Sequence, residues 1–323
     1  MSRPSVGAVV RILVAVALTV FVFWRSDPRA VLQAATGARL LPLLAAVGLV
    51  LADRALMAYR WLVLLRPFAT PEGPRFLAVM RIFFVSTFVG TFLPASVGGD
   101  AVRAYALTRH EVAGPAALAS VLMDRILGVL SILVMGVAGL VIARTLVWDP
   151  VVATSLVLTA AGCAVAAAVV FSRRAEDLAE RVLSRLPVAS VQRVGGRLMS
   201  AMRAYGTRRS DLLNVLVGSV GVQVLRIVQA YLLGLSLGID QPLGVYFAFV
   251  PVILLVMLLP VTVNGLGTSQ AAFVWFFSRV GVPNPSAFAL SILFVALGIV
   301  GNLPGGLLYA SGGLHGKTKV GAP

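Results

Sequence analysis

The chain has 323 residues, 59% of them hydrophobic, and a mean hydropathy of +0.97. A soluble domain needs a polar surface and does not reach that value, so the composition excludes an ordinary globular domain and predicts an all-α polytopic membrane protein. Basic residues outnumber acidic ones 27 to 12; because most of this charge flanks apolar spans, retention at the cytoplasmic face accounts for it and nucleic acid is not expected as a partner.

The first apolar run, 6–24, follows Arg3 and is too long for the core of a signal peptide. Arg25 to Pro28 is no small-residue cleavage site, so the run reads as a retained anchor. The next span, 40–65, is interrupted by Asp53, Arg54 and Arg60. Run 76–94 ends in Leu93–Pro94 and is followed by Gly98–Gly99, Asp100 and a polar helical segment over about 99–112. Spans 116–143 and 150–171 follow, the former carrying Asp124 and Arg125. The stretch 172–211 has nine Arg against four acids, and its apolar positions recur at three and four residues, as in an amphipathic helix lying on a membrane surface. Span 212–237 carries Gln223, Arg226 and Gln229. Run 243–260 again ends in Leu-Pro, at Leu259–Pro260, before Asn264, Gly265 and a segment over about 266–280. The last span is 286–311, with Asn302 to Gly306 read as a kink.

Charge orients these pieces. The Arg-rich stretch 172–211 is predicted to be cytoplasmic, which places 75 and 115 on the inside and 238 and 285 on the outside. Segments 76–112 and 243–280 must then enter and return, and the polar return arm of the first favours a re-entrant hairpin. Both tips read Leu-Pro-x-[Ser/Thr]-Val-x-Gly, 166 residues apart, and Arg60 and Arg226 share that offset. The expected architecture is therefore one transmembrane domain, 1–323, with about six full helices and two inverted re-entrant hairpins. Its halves are 1–143 and 150–311, joined by a cytoplasmic amphipathic elbow at 172–211. Both termini are expected in the cytoplasm. Arg makes up 25 of the 27 basic residues, a bias expected of a GC-rich bacterium and so of a bacterial inner membrane.

A charge at the middle of a membrane helix costs about 2.5–3.5 kcal/mol on insertion scales, so each needs a partner or a role. Pro94 and the glycines free the backbone at the first tip, Asp100 reads as an N-cap for a helix from 101, and Arg103 falls in its first turn. Free amides at Gly98–Gly99 beside Arg103 suit an anion, and in a membrane that is a lipid phosphate. The alternative is that Asp100 pairs with Arg103 or Arg125 and only locks the hairpin. Asp53 either braces Arg60 or Arg226, or joins Arg60 in lining a headgroup path. Asp124 and Arg125 point about 100° apart and serve different partners, Arg125 turning toward Asp100. Asn264 and Gln270 fit the second tip. With one cysteine, Cys163, and two distant histidines, His110 and His315, no metal or other cofactor is expected. No catalytic constellation or phosphate-binding lysine loop is present in the sequence, so no enzyme activity is expected.

"FLPASVGGDAVRAY", "ASVLMDRILG" and "LLPVTVNGLGTSQ", with "AYRWLVLL" in the second span, resemble the lysylphosphatidylglycerol synthase transmembrane region, a flippase-like family. Gln270 stands where that family tends to carry Glu. The resemblance implies movement of lipids between leaflets. The chain ends a few residues after its last span, so it resembles the membrane half without the synthase, and aminoacyl transfer is not expected. The substrate implied is a phospholipid or a polyprenyl-phosphate-linked lipid. The alternatives are a secondary carrier of a small anionic solute, or a non-transporting partner of a synthase or glycosyltransferase. Oligomeric state is left open.

Overall fold

The computed structural model describes residues 26–68, 76–92, 97–109, 112–142, 189–206, 208–258 and 265–310, with isolated positions at 17, 20, 21, 23, 24, 157, 161 and 181. Among the described residues all regular structure is helical: α1 (Pro28–Thr36), α2 (Leu40–Leu65), α3 (Phe76–Phe92), α4 (Val97–Thr108), α5 (Gly114–Ile142), α6 (Ala189–Arg203), α7 (Arg209–Ser236), α8 (Leu243–Leu258), α9 (Thr268–Ser278) and α10 (Asn284–Ala310). Four of these, α2, α5, α7 and α10, are long and apolar enough to cross a membrane. They match the spans expected at 40–65, 116–143, 212–237 and 286–311. The other two expected spans, 6–24 and 150–171, lie almost wholly outside the described residues, as do both Leu-Pro tips with Pro94, Pro260 and Asn264.

Helix length separates two classes. Helix α2 has 26 residues and α5 has 29. At about 1.5 Å per residue both exceed a hydrocarbon core of about 30 Å. Helices α3 and α8 have 17 and 16 residues, about 24–26 Å on the same rise. Their return partners α4 and α9 are shorter still, at 12 and 11 residues.

The helices pack in a pattern with internal symmetry. Helix α2 lies against α7, α3 against α10, and α8 against α5. Helix α4 touches α3 and α5, as α9 touches α8 and α10; α6 rests on α5, as α1 rests on α10. Exchanging α1–α5 with α6–α10 leaves these contacts unchanged. The amphipathic elbow helix is thus the counterpart of the short helix α1. The same small-residue device closes the cross-packed pairs. A Cβ on Gly139 of α5 would overlap the Phe247 carbonyl of α8, and a Cβ on Gly305 of α10 would overlap the Phe84 carbonyl of α3. These glycines are also 166 residues apart. In an apolar solvent helices gain little from burying more apolar surface against each other, so close backbone approach at small residues carries the association.

Helices α2 and α7 run antiparallel. Arg66, just past α2, reaches Asp211 in the first turn of α7 at 3.1 Å. At the other end Arg39 N–H donates to the Ser236 carbonyl at 2.7 Å. Beside the first junction the buried Tyr205 hydroxyl donates to the Leu64 carbonyl at 2.7 Å. Burial, with the Asp124 carboxylate as a smaller cause, pushes that phenol above its ordinary pKa, so it stays a donor. Leu198, Ala201 and Met202 of α6 pack at this junction, while Arg197 and Arg203 are exposed.

Two local expectations are corrected. Helix α4 begins at Val97, not 101, so Asp100 is a first-turn residue rather than the N-cap. Gly98 and Gly99 lie within that helix and have no positive φ. A Cβ on Gly99 would stand 3.0 Å from the Ser86 carbonyl, and one on Gly90 would stand 2.9 Å from the Gly99 Cα. Gly99 therefore serves close packing of α4 on α3, and the free energy it saves is steric rather than conformational. The helix at Asn302–Gly306 continues through Pro304, and the following glycines make room for α3.

Candidate functional site

Between the two helical pairs lies a cavity of about 430 Å³. Helix α2 lines it with Val50, Asp53 and Arg54, and α3 with Ser86, Thr87, Gly90 and Thr91. Helix α4 contributes Gly99, Asp100 and Arg103, α5 contributes Arg125, and α7 contributes Arg226 and Gln229. Leu254, Met257, Leu266, Phe294 and Gly298 form apolar wall, and Asn302 of α10 adds an amide. The described lining thus holds four guanidiniums and two carboxylates among otherwise apolar helices.

These charges form two networks. The first alternates in sign. Arg60 meets Asp124 at 2.9 Å, Asp124 meets Arg103 at 3.3 Å, Arg103 meets Asp100 at 3.3 Å, and Asp100 meets Arg125 at 2.7 Å. Arg103 is only 4% exposed, and its guanidinium lies 4.8 Å from the centre of the Trp61 ring. It is held by two carboxylates and an aromatic face at once, which offsets the desolvation of a buried cation. The second network centres on Asp53, 1% exposed. Arg54 meets Asp53 at 2.7 Å, and Arg226 approaches it at 3.7 Å. Arg54 also donates to the Asn302 side-chain oxygen at 2.9 Å and the Gly298 carbonyl at 3.2 Å, while Asn302 donates to the Thr91 hydroxyl at 2.8 Å. This network ties α2, α3, α7 and α10 together.

The structure brings Gly99, Asp100, Arg103, Arg125 and Arg226 into one lining, with Asp53 beside them. It does not bring Gly98, Arg60 or Gln270 there. Arg60 and Asp124 stand behind Arg103. The expected Asp53–Arg60 brace is absent, because two helical turns separate the residues. Gly218 of α7 instead leaves a path for the Arg60 side chain toward Asp124, a Cβ there falling 3.0 Å from its Cγ. The alternative brace, Asp53 to Arg226, is present at 3.7 Å, and Arg125 does turn to Asp100. Gln270 is fully buried and folds back on its own helix. Its side-chain oxygen accepts from the Gly267 N–H at 2.5 Å and the Ser269 hydroxyl at 3.1 Å. That is the reciprocal half of a capping box, closed without a side chain at the N-cap.

Sequence reasoning noticed Arg54, Gln229 and Asn302 without placing them at the site, and it passed over Thr87 and Thr91. Arg54 had a signal, since a second charge in one span needs its own outlet. Asn302 was masked by the Pro-Gly-Gly that follows it. The threonines had none, because a hydroxyl in an apolar helix is satisfied by the carbonyl one turn back, as both are here. No group of three or more His, Cys, Asp or Glu residues positioned for a metal occurs among the described residues.

The chain is 25% identical to a UPF0104 membrane protein of Methanothermobacter thermautotrophicus over 265 residues, covering 74% of each chain. Residues 8–305 match the family described as the lysylphosphatidylglycerol synthase TM region, a stretch that includes both helical pairs and every charge of the cavity. This protein is a multi-pass integral membrane protein, and it belongs to the lysylphosphatidylglycerol synthase TM region family.

Proposed function

We propose that the protein moves a phosphate-bearing lipid between the leaflets of the bilayer, as a flippase-like transporter and not as an enzyme. The observation that carries this reading is the cavity of about 430 Å³ whose lining sets four guanidiniums against two carboxylates within apolar helices. A cation surplus at membrane depth is expensive, and an anionic headgroup is the ligand that offsets it. The chains of the lipid stay in the bilayer while the headgroup passes Arg103, Arg125 and Arg226, with the first-turn amide of α4 at Gly99 adding a donor.

Helices α3 and α8, at 17 and 16 residues, stand at the lower limit of about 17–25 residues for a crossing, and each follows one end of the antiparallel pair α2 and α7. This supports two re-entrant hairpins, 76–112 and 243–280, entering from opposite faces. The Arg-rich elbow 172–211 and both termini are then cytoplasmic, in a bacterial inner membrane. A synthase or glycosyltransferase that supplies the lipid would dock at that elbow. The family description points the same way, toward the handling of a phospholipid.

The test is reconstitution into liposomes carrying headgroup-labelled phospholipids or a polyprenyl phosphate, with leaflet exchange read by chemical quenching of the outer label. Wild type exchanges label faster than empty liposomes, and Arg226→Gln or Arg125→Gln returns the rate toward the empty value. Exchange of every lipid at the empty-liposome rate overturns the reading. Uptake of a soluble anion without lipid exchange assigns the cavity to a small-anion carrier instead.

A further inference from the structure

Arg226 is paired differently from the residue that holds its place in the first half. Its counterpart at the 166-residue offset, Arg60, is neutralised by Asp124 of α5 at 2.9 Å. At the same offset from Asp124 stands Leu290 of α10, so the second half supplies no matching carboxylate. Beyond the first turn of α7, Arg226 is the only charged residue within α7, α8, α9 and α10. Its one carboxylate neighbour, Asp53, lies 3.7 Å away and is already held by Arg54 at 2.7 Å. Two guanidiniums thus share one acid. One turn on, Gln229 is 4% exposed and lines the cavity, and its Nε2 has no acceptor. Gln229 Nε2 thus stands unspent beside Arg226, which also donates to the Met57 sulfur at 3.5 Å.

Charge balance narrows what fills that wall. The described lining carries four Arg and two Asp, a surplus of two positive charges; behind it Arg60 and Asp124 cancel. A phosphodiester headgroup brings one negative charge. A phosphomonoester brings about 1.5–2 negative charges at neutral pH and three strong acceptor oxygens. A headgroup with an added amine brings a cation into a cationic cavity. We propose that the cavity takes a terminal phosphate carrying two or more negative charges, a phosphomonoester or diphosphate, in preference to a phosphodiester or aminated headgroup. The lipid source of that phosphate rests on the translocation reading; the charge class does not.

The experiment uses the full chain in lipid nanodiscs and compares phosphatidic acid with phosphatidylmethanol, the same phosphate with one oxygen methylated, and with pyrophosphate in solution. The expected result is phosphatidic acid binding roughly tenfold or more tightly than phosphatidylmethanol, a modest gain for one extra charge in a partly desolvated site. Arg226→Gln removes that preference, while Arg226→Lys, which keeps the charge, retains part of it. Unchanged melting temperature and monodispersity in both variants separate loss of recognition from loss of fold. Equal affinity for the two lipids overturns the dianion inference, and leaves lipid translocation standing if both lipids still exchange in liposomes. Pyrophosphate binding with no binding of either lipid keeps the charge class and overturns the lipid source. Binding of none of the three overturns both.

Discussion

The helical pairs α3–α4 and α8–α9 share a tip motif in sequence and differ in almost everything that motif was expected to do. In the first pair the glycines act by their size. Gly90 and Gly99 let two helix backbones touch, and Asp100 and Arg103 carry the adjoining turn into an ion-pair chain. In the second pair the glycines act by their conformation. Gly265 and Gly267 have φ of +71° and +85°, which an L side chain resists, and the turn is closed by the neutral Gln270. Among the described residues the first pair is thus built around charge and the second around backbone geometry. Helix packing is symmetric across the two halves while the charge is not. The repeated packing surrounds the cavity, and the unequal charge of the two halves leaves its described lining with four Arg against two Asp.

The largest expected effect breaks the charged side of this contrast. Asp124→Ala leaves Arg60 and Arg103 buried with one carboxylate between them, and should cost about 3–5 kcal/mol, read as a fall in detergent melting temperature or loss of monodisperse protein. Next come the symmetric glycines. Gly139→Ala and Gly305→Ala each force a helix off a carbonyl and should each cost about 1–3 kcal/mol; closely similar losses support equivalent roles, and a tolerated change at either position breaks the equivalence. Gln270→Ala removes the cap on α9 without touching the cavity, and should cost about 1 kcal/mol with lipid exchange retained in the folded protein. The smallest stability effect is expected at Arg226, whose ion pair is long and partly exposed. Arg226→Gln should change stability by less than about 0.5 kcal/mol while lowering lipid exchange, whereas a large fall in melting temperature would assign Arg226 to the scaffold instead.

Much of this was legible in one dimension. The length and polarity of an apolar run depend on the chain alone, so 40–65, 116–143, 212–237 and 286–311 coincide with α2, α5, α7 and α10 to within a few residues. The interruption expected at Leu-Pro, where Pro cannot donate within a helix, lies outside the described residues. Arg125 and Asp124 were correctly sent to different partners, because adjacent helical residues point apart. Three details escaped. The start of α4 was placed four residues late, because Gly-Gly reads as a turn when its neighbour helix is unknown. Gln270 was read as a tip ligand, although its best acceptor geometry lies in its own first turn. The short helix α1 was passed over, because its pairing with α6 as an equivalent element appears only in the packing.

The sequence by itself determined that this chain is a bundle of membrane helices that carries one Leu-Pro motif twice, with a handful of charges that had to be satisfied inside it. Those are consequences of transfer free energy and backbone chemistry, which each residue carries wherever it goes. Only the tertiary structure decided that Arg60 belongs to Asp124, that Arg54 and Asn302 join Asp53, and that Arg226 is left with half a partner. Pairing depends on the rotation and separation of helices far apart in the chain. In this protein both are set by where glycines let those helices meet.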